Sequence, residues 1–369
     1  MRLKIAIAAR GLNAPPSGPR FYIENFTRAF VQAAAEHEIF VYYNTPDLPG
    51  SYPAASERVL PNLPNLLWDH LALPLALRKD GIDVAIYPKG TISLVSPSKD
   101  IPIVLDLGYF YPQINAYKKL DTWYMRTALR FSAHRSWGIF AISQYTADDV
   151  VRFFGVPQDK VQTIYGGADR ELFAPVSDPA KLSAVEQAYN LQRPYIFCPT
   201  SISPRKNIDR LLDAFERVQG RIPHHLYFTG GLSWNSAKTT ARLRYPLDRR
   251  VHRLGHVPVA DMPAIYTLAD FTVYISLFEG FGLPVVESFL CETPVLASDQ
   301  TSLPEVAGDA ALLIPARDTD AIAQALLRLA QDADLRASLV VRGKRQAQQF
   351  TWEKTAQTAL KWIENHVAA

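Results

Sequence analysis

The sequence predicts an α/β protein of two doubly wound domains, similar in size and facing each other across a cleft. Three observations carry that prediction. Short, uniformly apolar runs of strand length alternate with helical stretches, which is how parallel strands buried on both faces read. The alternation halts in a polar stretch near Asp178–Asn190 and then starts again. And 369 residues exceed what one hydrophobic core usually organises.

The first series opens with "LKIAIAA" (Leu3–Ala9), followed by the Gly/Pro/Ser-rich loop "RGLNAPPSGPR". A helix is expected from about Phe21 to Glu36, where Phe21, Phe26, Phe30 and Val31 recur at roughly helical spacing. Strands are expected at "EIFVYY", "DVAIYP", "IPIVLD" and "GIFAIS", with helices at Leu66–Arg78, Asp121–His134 and Thr146–Phe154. Thr146, with Asp149 three residues on, resembles a capping box. The second series runs "YIFCPT", a helix at Asn207–Gln219, "HLYFTGG", "VHRLGH", a helix at Ala260–Leu268, and "FTVYIS". Then come "PVLAS", "AALLIP", helices through Thr319–Phe350, and a last helix from Trp352 to about His366. The expected division is 1–188 for the first domain and 189–350 for the second, with a helix in 351–369 returning to the first.

Hydrophobic residues make up 48% and charged residues 20%, ordinary for a globular protein. The formal net charge of +3 is too mild to argue for nucleic acid but suits anionic ligands. Two cysteines, Cys198 and Cys291, lie in apolar settings, so no disulfide framework and a reducing compartment are expected. The N-terminus lacks a signal-length apolar core, and no run approaches the roughly 18 residues of a membrane span. A soluble, cytoplasmic protein is the expectation. No G-x-G-x-x-G follows the first strand and no G-x-x-x-x-G-K-[ST] occurs, which argues against NAD enzymes and P-loop NTPases. No D-x-D follows a strand in a suitable position and no His/Cys cluster has ligand spacing, so no metal is expected.

The segment that carries chemistry is "SLFEGFGLPVVES", Ser276–Ser288. Strand "FTVYIS" runs into it, and Pro284 suits the first turn of a helix. Gly280 and Gly282 therefore sit in a strand-to-helix turn at the carboxyl end of a sheet, where open α/β folds bind ligands. Glycines let a ligand approach the backbone, and a helix N-terminus welcomes a phosphate. Glu279 and Glu287 would repel that phosphate, so they are read as acceptors for hydroxyls on either side of it. A diphosphate with a sugar at each end, that is a nucleotide sugar, would satisfy every group. Each acid alone is equally well a solvated turn residue or a first-turn acid on a helix dipole. In "SPRKN" (Ser203–Asn207), Arg205 and Lys206 place cations between a strand end and a helix start, where they could stabilise charge developing on a leaving phosphate.

"EGFGLPVVES", continuing through "CETPVLASDQTSLPEVAGDAALLI", resembles the signature of the GT-B glycosyltransferases of family 4, retaining enzymes that share a Glu-x7-Glu motif. The resemblance extends to "SISPRKNIDRLLDAF", "LGHVPVADMPAIYTLAD", "AISQYTADDVVRFFGVP" and "FTWEKTAQTAL". It implies two Rossmann-like domains and a metal-independent hexosyltransferase. It also implies a nucleotide diphosphate sugar as donor and a carbohydrate or lipid-linked glycan as acceptor. By this resemblance Glu279 contacts hydroxyls of the transferred sugar and Glu287 holds the ribose diol. The turn Gly280, Phe281, Gly282 and Leu283 lies near sugar and phosphates, while Arg205 and Lys206 neutralise the diphosphate. "GHVP" (Gly255–Pro258), with Val257, and Gly230 and Gly231 are read as loops that receive the base through backbone groups; ordinary loop glycines are the alternative.

In the first domain, Gly18 of "PPSGPRFY" best matches the family's phosphate loop, although Pro19 stands where a second small residue is common. A larger departure is Leu105-Asp106, where many relatives carry His-Asp. Leucine can neither hydrogen-bond through its side chain nor titrate, so Asp106 is the polar candidate on the acceptor side; a turn acid is the alternative. Tyr109, Phe110, Tyr111, Tyr117, Trp123 and Tyr124 would stack on sugars or pack a core. Lys118, Lys119, Arg126, Arg130 and Arg135 would lean on an anionic membrane or form a solvated helix face. Two other readings remain open at this stage: a sugar-nucleotide epimerase of the same fold, and a non-catalytic nucleotide-sugar-binding protein.

Overall fold

The computed structural model describes residues 2–12, 17–44, 50–114, 117–231, 237–244 and 249–368. They divide into two units. The first comprises Met1–Phe110, Lys119–Gly167 and Trp352–Ala369; the second comprises Tyr111–Lys118 and Ala168–Thr351.

In the first unit, strands β1 (Lys4–Ala8), β2 (Glu38–Tyr43), β3 (Ser56–Val59), β4 (Val84–Tyr87), β5 (Lys99–Val104), β6 (Ile139–Ala141) and β7 (Val161–Thr163) form a parallel sheet. Its order is β3-β2-β1-β4-β5-β6-β7. The central strands are apolar at successive positions because both faces are covered, and Ile5, Ala6 and Ile7 of β1 are all buried. The sequence pattern had no sign of β3 and β7. Both are edge strands, "SERV" and "VQT", and an edge needs no continuous apolar run.

The helix expected from Phe21 begins earlier, spanning Gly18–Ala33. Ser17 caps it and Pro19 pre-sets its first turn. Its buried face carries Tyr22, Ile23, Phe26 and Phe30. The expected cap at Thr146 is corrected in the same way. The helix is Gln144–Phe154, and its cap is Ser143, whose Oγ accepts the Thr146 N–H at 3.0 Å. Helix Trp352–Ala368 packs within the first unit. Trp352 lies edge-on to Tyr22 at 5.2 Å, and Trp362 meets Trp137 at 5.2 Å and Phe140 at 5.6 Å. Gly138 is what admits the Trp362 ring: a Cβ there would lie 2.0 Å from it.

The second unit is again a parallel sheet, of β8 (Tyr195–Cys198), β9 (His225–Thr229), β10 (Val251–Gly255), β11 (Phe271–Tyr274), β12 (Val295–Ser298) and β13 (Ala311–Ile314). The order is β10-β9-β8-β11-β12-β13. One face is covered by helices Ile208–Val218 and Thr319–Gln331, through Leu211, Leu212, Phe215, Ile322, Leu326 and Leu329. The chain enters this unit after Gly167, well before the expected boundary at 188. The reason is helix Pro179–Ala188, whose Val185 and Leu182 pack with Tyr195, Ile265 and Tyr266 of the second core. The helical block after Thr319 splits at Asp332, whose carboxylate accepts the Leu335 N–H and starts a separate helix, Ala333–Gln346.

Candidate functional site

A doubly wound sheet opens a crevice where neighbouring strands send their connections to opposite sides. In the second unit that reversal falls between β8 and β11. The loop after β8 carries Arg205 and Lys206, and the loop after β11 carries Glu279. Topology thus puts residues 74 positions apart onto one sheet edge.

Backbone contacts join the two loops. The Leu277 N–H donates to the Arg205 carbonyl at 2.7 Å, and the Arg205 guanidinium donates to the Phe278 carbonyl at 3.1 Å. Pro204–Lys206 form a single 3-10 turn that ends at Asn207, in the left-handed conformation at φ 60°. The Asn207 amide donates to the carbonyls of Ile275 (3.2 Å) and Ala316 (2.6 Å), which holds the turn against the end of β11.

At the centre is a buried charge cluster. Glu279 is 6% exposed and Lys206 8% exposed. Lys206 Nζ lies 2.5 Å from Glu279 Oε1 and donates to the Tyr274 hydroxyl at 2.6 Å, while Arg205 reaches Glu279 Oε2 at 2.9 Å. Burial alone would raise the Glu279 carboxyl, but Arg205 and Lys206 overcome it and hold the group at about 2. Burial, with Arg205 adding to it, lowers Lys206 against the pull of Glu279. Two cations and one carboxylate leave a net +1, suited to an incoming anion. The Glu279 backbone is fixed as well: its N–H donates to Thr301 Oγ1 at 3.0 Å, and the Ser302 hydroxyl shares its one proton between the carbonyls of Glu279 and Phe281, both at 3.0 Å.

Gly282 makes the turn into helix Leu283–Leu290 at φ 107°, and a Cβ there would lie 2.5 Å from Leu303 Cδ2. Only glycine suits that position. Gly280 is buried in the same turn. The Phe281 side chain is buried and packs edge-on to Phe350 at 5.3 Å. Leu283 is partly exposed at the helix start. Glu287, one turn further, accepts the Tyr266 hydroxyl at 2.9 Å. Burial pushes its carboxyl up to about 7, with the Tyr266 hydrogen bond opposing. The Val257 side chain lies in the apolar cluster with Tyr266 and Tyr227, which leaves only backbone for a ligand. Beside it, the Gly230 N–H donates to the Gly255 carbonyl at 2.7 Å, joining the loop after β9 to the end of β10.

Two expected residues belong to the first unit. Gly18 is the exposed first residue of its helix, and a Cβ there would meet nothing within 4 Å. Asp106 Oδ1 accepts the Gly108 N–H at 2.8 Å, so this acid closes its own turn. Phe110 is a packing residue, set against Phe153 at 4.9 Å and Phe154 at 5.3 Å. Tyr111, grouped with the second unit, meets Phe278 at 4.8 Å. Tyr274, Tyr266, Asn207, Thr301 and Ser302 complete the second unit's site without having been singled out in the sequence. The tyrosines read there as ordinary apolar positions, and only "DQTSLPE", within the family-like stretch, gave a signal for the last two.

Two sequence-family models match: "Glycosyltransferase Family 4" over residues 16–172 and "Glycosyl transferases group 1" over residues 193–332. The O-antigen chain mannosyltransferase B of Escherichia coli is 35% identical over 240 residues, 64% of this chain and 62% of that one. A serotype-specific mannosyltransferase WbdA of Escherichia coli is 29% identical over 245 residues, 64% of this chain and 30% of its own length. The chain thus spans less than two thirds of these relatives. The sucrose-phosphate synthase of Thermosynechococcus elongatus superposes over 100% of both chains with a TM-score of 0.78 at 20% identity, a likeness of fold. With the paired parallel sheets and the matches on both of them, the chain belongs to the GT-B glycosyltransferases of family 4.

Proposed function

We propose that the protein transfers a hexosyl residue, with retention, from a nucleotide diphosphate sugar to a hydroxyl of a carbohydrate or lipid-linked glycan. The observation that carries this reading is the Arg205–Glu279–Lys206 cluster at the β8/β11 crevice. When the donor enters, diphosphate oxygens take the two cations. Glu279, released from part of that pairing, accepts hydroxyls of the sugar. Glu287 exchanges its Tyr266 partner for the ribose diol, one hydroxyl to each oxygen. As the anomeric C–O bond breaks, charge grows on the phosphate between Arg205 and Lys206, cations already fixed before the reaction starts. A phosphate oxygen then takes the proton of the acceptor hydroxyl on the same face, and the new C–O bond forms there. Asp106 remains the acceptor-side candidate and Gly18 the one near the phosphates. The names of the two Escherichia coli relatives favour a mannosyl donor.

We also propose peripheral membrane contact. In helix Lys119–Arg135, Leu120, Trp123, Tyr124 and Phe131 are exposed at helical spacing along one face, with Lys119 and Arg130 on the same helix. No helix among the described residues is long and apolar enough to cross a membrane. A thermal-shift panel of GDP, UDP and their sugars, followed by hydrolysis and transfer assays with and without a chelator, tests the reading. Nucleoside diphosphate binding and chelator-resistant transfer are expected. Binding without turnover of any nucleotide sugar would overturn the enzymatic claim.

A further inference from the structure

The first unit has a switch point of its own, between β1 and β4, and cations stand at both strand ends. Arg10 follows β1 and Lys89 follows β4. Arg10 is held rigidly: its guanidinium pairs with both oxygens of Asp69 (2.9 and 2.7 Å), bonds the Asn65 amide oxygen, and lies over the Trp68 ring at 5.7 Å. Trp68, Asp69 and His70 belong to a one-turn π-helical segment, Trp68–Ala72, a distortion often found at functional sites.

Lys89 is different. No carboxylate among the described residues hydrogen-bonds it; the side chain is exposed, and its amine lies over Gly11, where a Cβ would come 2.3 Å from Nζ. Gly11 (φ 108°) and Gly90 (φ 77°) are both left-handed, so each strand end turns on a glycine; the missing Cβ makes room for the Lys89 amine at Gly11 and for Leu129 at Gly90. Burial and the nearby Arg10 charge both lower the Lys89 amine, with Asp69 opposing. An anion would relieve that repulsion. Two cations against one carboxylate leave the point net positive.

We propose that the carboxyl ends of β1 and β4 form an anion subsite, built on Lys89 with Arg10 behind it, that takes a phosphate carried by the acceptor. Its assignment to the acceptor rests on the glycosyltransferase reading; the anion site itself does not. Arg10 supplies long-range attraction while its own hydrogen bonds stay with Asp69, and Lys89 supplies the direct charge-assisted contact. The same π-helical segment also holds the neighbouring chain, because the Leu94 N–H donates to His70 Nδ1 at 3.2 Å.

The experiment titrates the full chain with inorganic phosphate and pyrophosphate by calorimetry, with GDP and UDP present to fill the nucleotide site. In parallel it measures flotation with phosphatidylcholine vesicles with and without a prenyl phosphate. Lys89→Gln is expected to weaken the phosphate interaction about tenfold or more, and Lys89→Arg to restore most of it. A Lys89-dependent response to the soluble anions alone points to a phosphorylated sugar, and one to the vesicles alone to a lipid phosphate; both support the subsite. Equal binding by wild type and Lys89→Gln in every arm overturns it. Nucleoside diphosphate binding is read separately in the thermal-shift panel, so failure of the glycosyltransferase reading leaves a Lys89-dependent phosphate response standing as support for the anion site.

Discussion

Replacing Glu279 by glutamine removes one charge from a cluster that has almost no access to water. A carboxyl held at about 2, against 4.5 for a free glutamate, adds about 3 kcal/mol to folding at neutral pH, offset in part by the burial that lowers the Lys206 amine. Because the folded value is the depressed one, that contribution is whole above pH 4.5 and is lost as the pH falls towards 2. In a domain of this size each kcal/mol moves the melting point by about 2–4 °C, so Glu279→Gln is expected to melt lower, by at most roughly 6–12 °C. The ligand response should run the other way. Glu279 occupies both cations in the free protein, so its removal leaves nucleoside diphosphate affinity unchanged or tighter, while transfer falls about 100-fold for want of the sugar contact. Calorimetric melts at pH 7.5, nucleotide titrations and transfer rates on the same preparation measure all three. A variant melting with the wild type would refute the ion-pair reasoning. One losing nucleotide affinity in step with transfer would refute the division of labour between acid and cations.

Glu287, raised to about 7, has the opposite sign. Its burial penalty is absent below pH 4.5 and complete above about 7, and a ribose diol needs the ionised form. Nucleotide affinity measured by calorimetry should therefore rise between about pH 6 and 8 and level off, with Glu287→Gln weak and flat across the range. Gly282→Ala forces a side chain into φ 107° and against Leu303, at roughly 1–3 kcal/mol, whereas Gly18→Ala should leave the melting temperature within about 1–2 °C; thermal melts of the pair distinguish them. Leu120→Ser with Trp123→Ser should reduce flotation with anionic vesicles at least about tenfold, since each wild-type side chain is worth more than 1 kcal/mol when buried in lipid. Unchanged flotation would exclude that helix face.

The parallel sheets were legible because buried strands such as "KIAIA" and "FTVY" must be apolar throughout, and the turn from β11 into helix Leu283–Leu290 because Gly-Phe-Gly-Leu-Pro supplies both a left-handed glycine and a first-turn proline. What sequence spacing could not show was pairing across the crevice. Arg205 and Glu279 lie far apart in the chain, and nothing local says that they neutralise each other before any ligand arrives. Edge strands β3 and β7 were invisible because half-exposed residues carry no period. Ser17 and Ser143 carry no periodic signal, because a cap precedes the apolar pattern: the chain starts each helix at a side-chain oxygen able to take an orphan N–H. Phe281 and Val257 show a related limit. Their positions were marked by the motif, but their side chains are buried.

The helix Trp352–Ala368, seated on Gly138 and Tyr22, has a consequence for how the protein is made. Domains ordinarily fold from the N-terminus as they leave the ribosome. Here the first unit cannot finish its surface until all of Ala168–Thr351 has been synthesised, because the rings that cover Phe21, Tyr22, Trp137 and Phe140 come from beyond it. During translation those aromatic side chains wait uncovered while the second unit is built. The half of the protein that is translated first is therefore the half completed last.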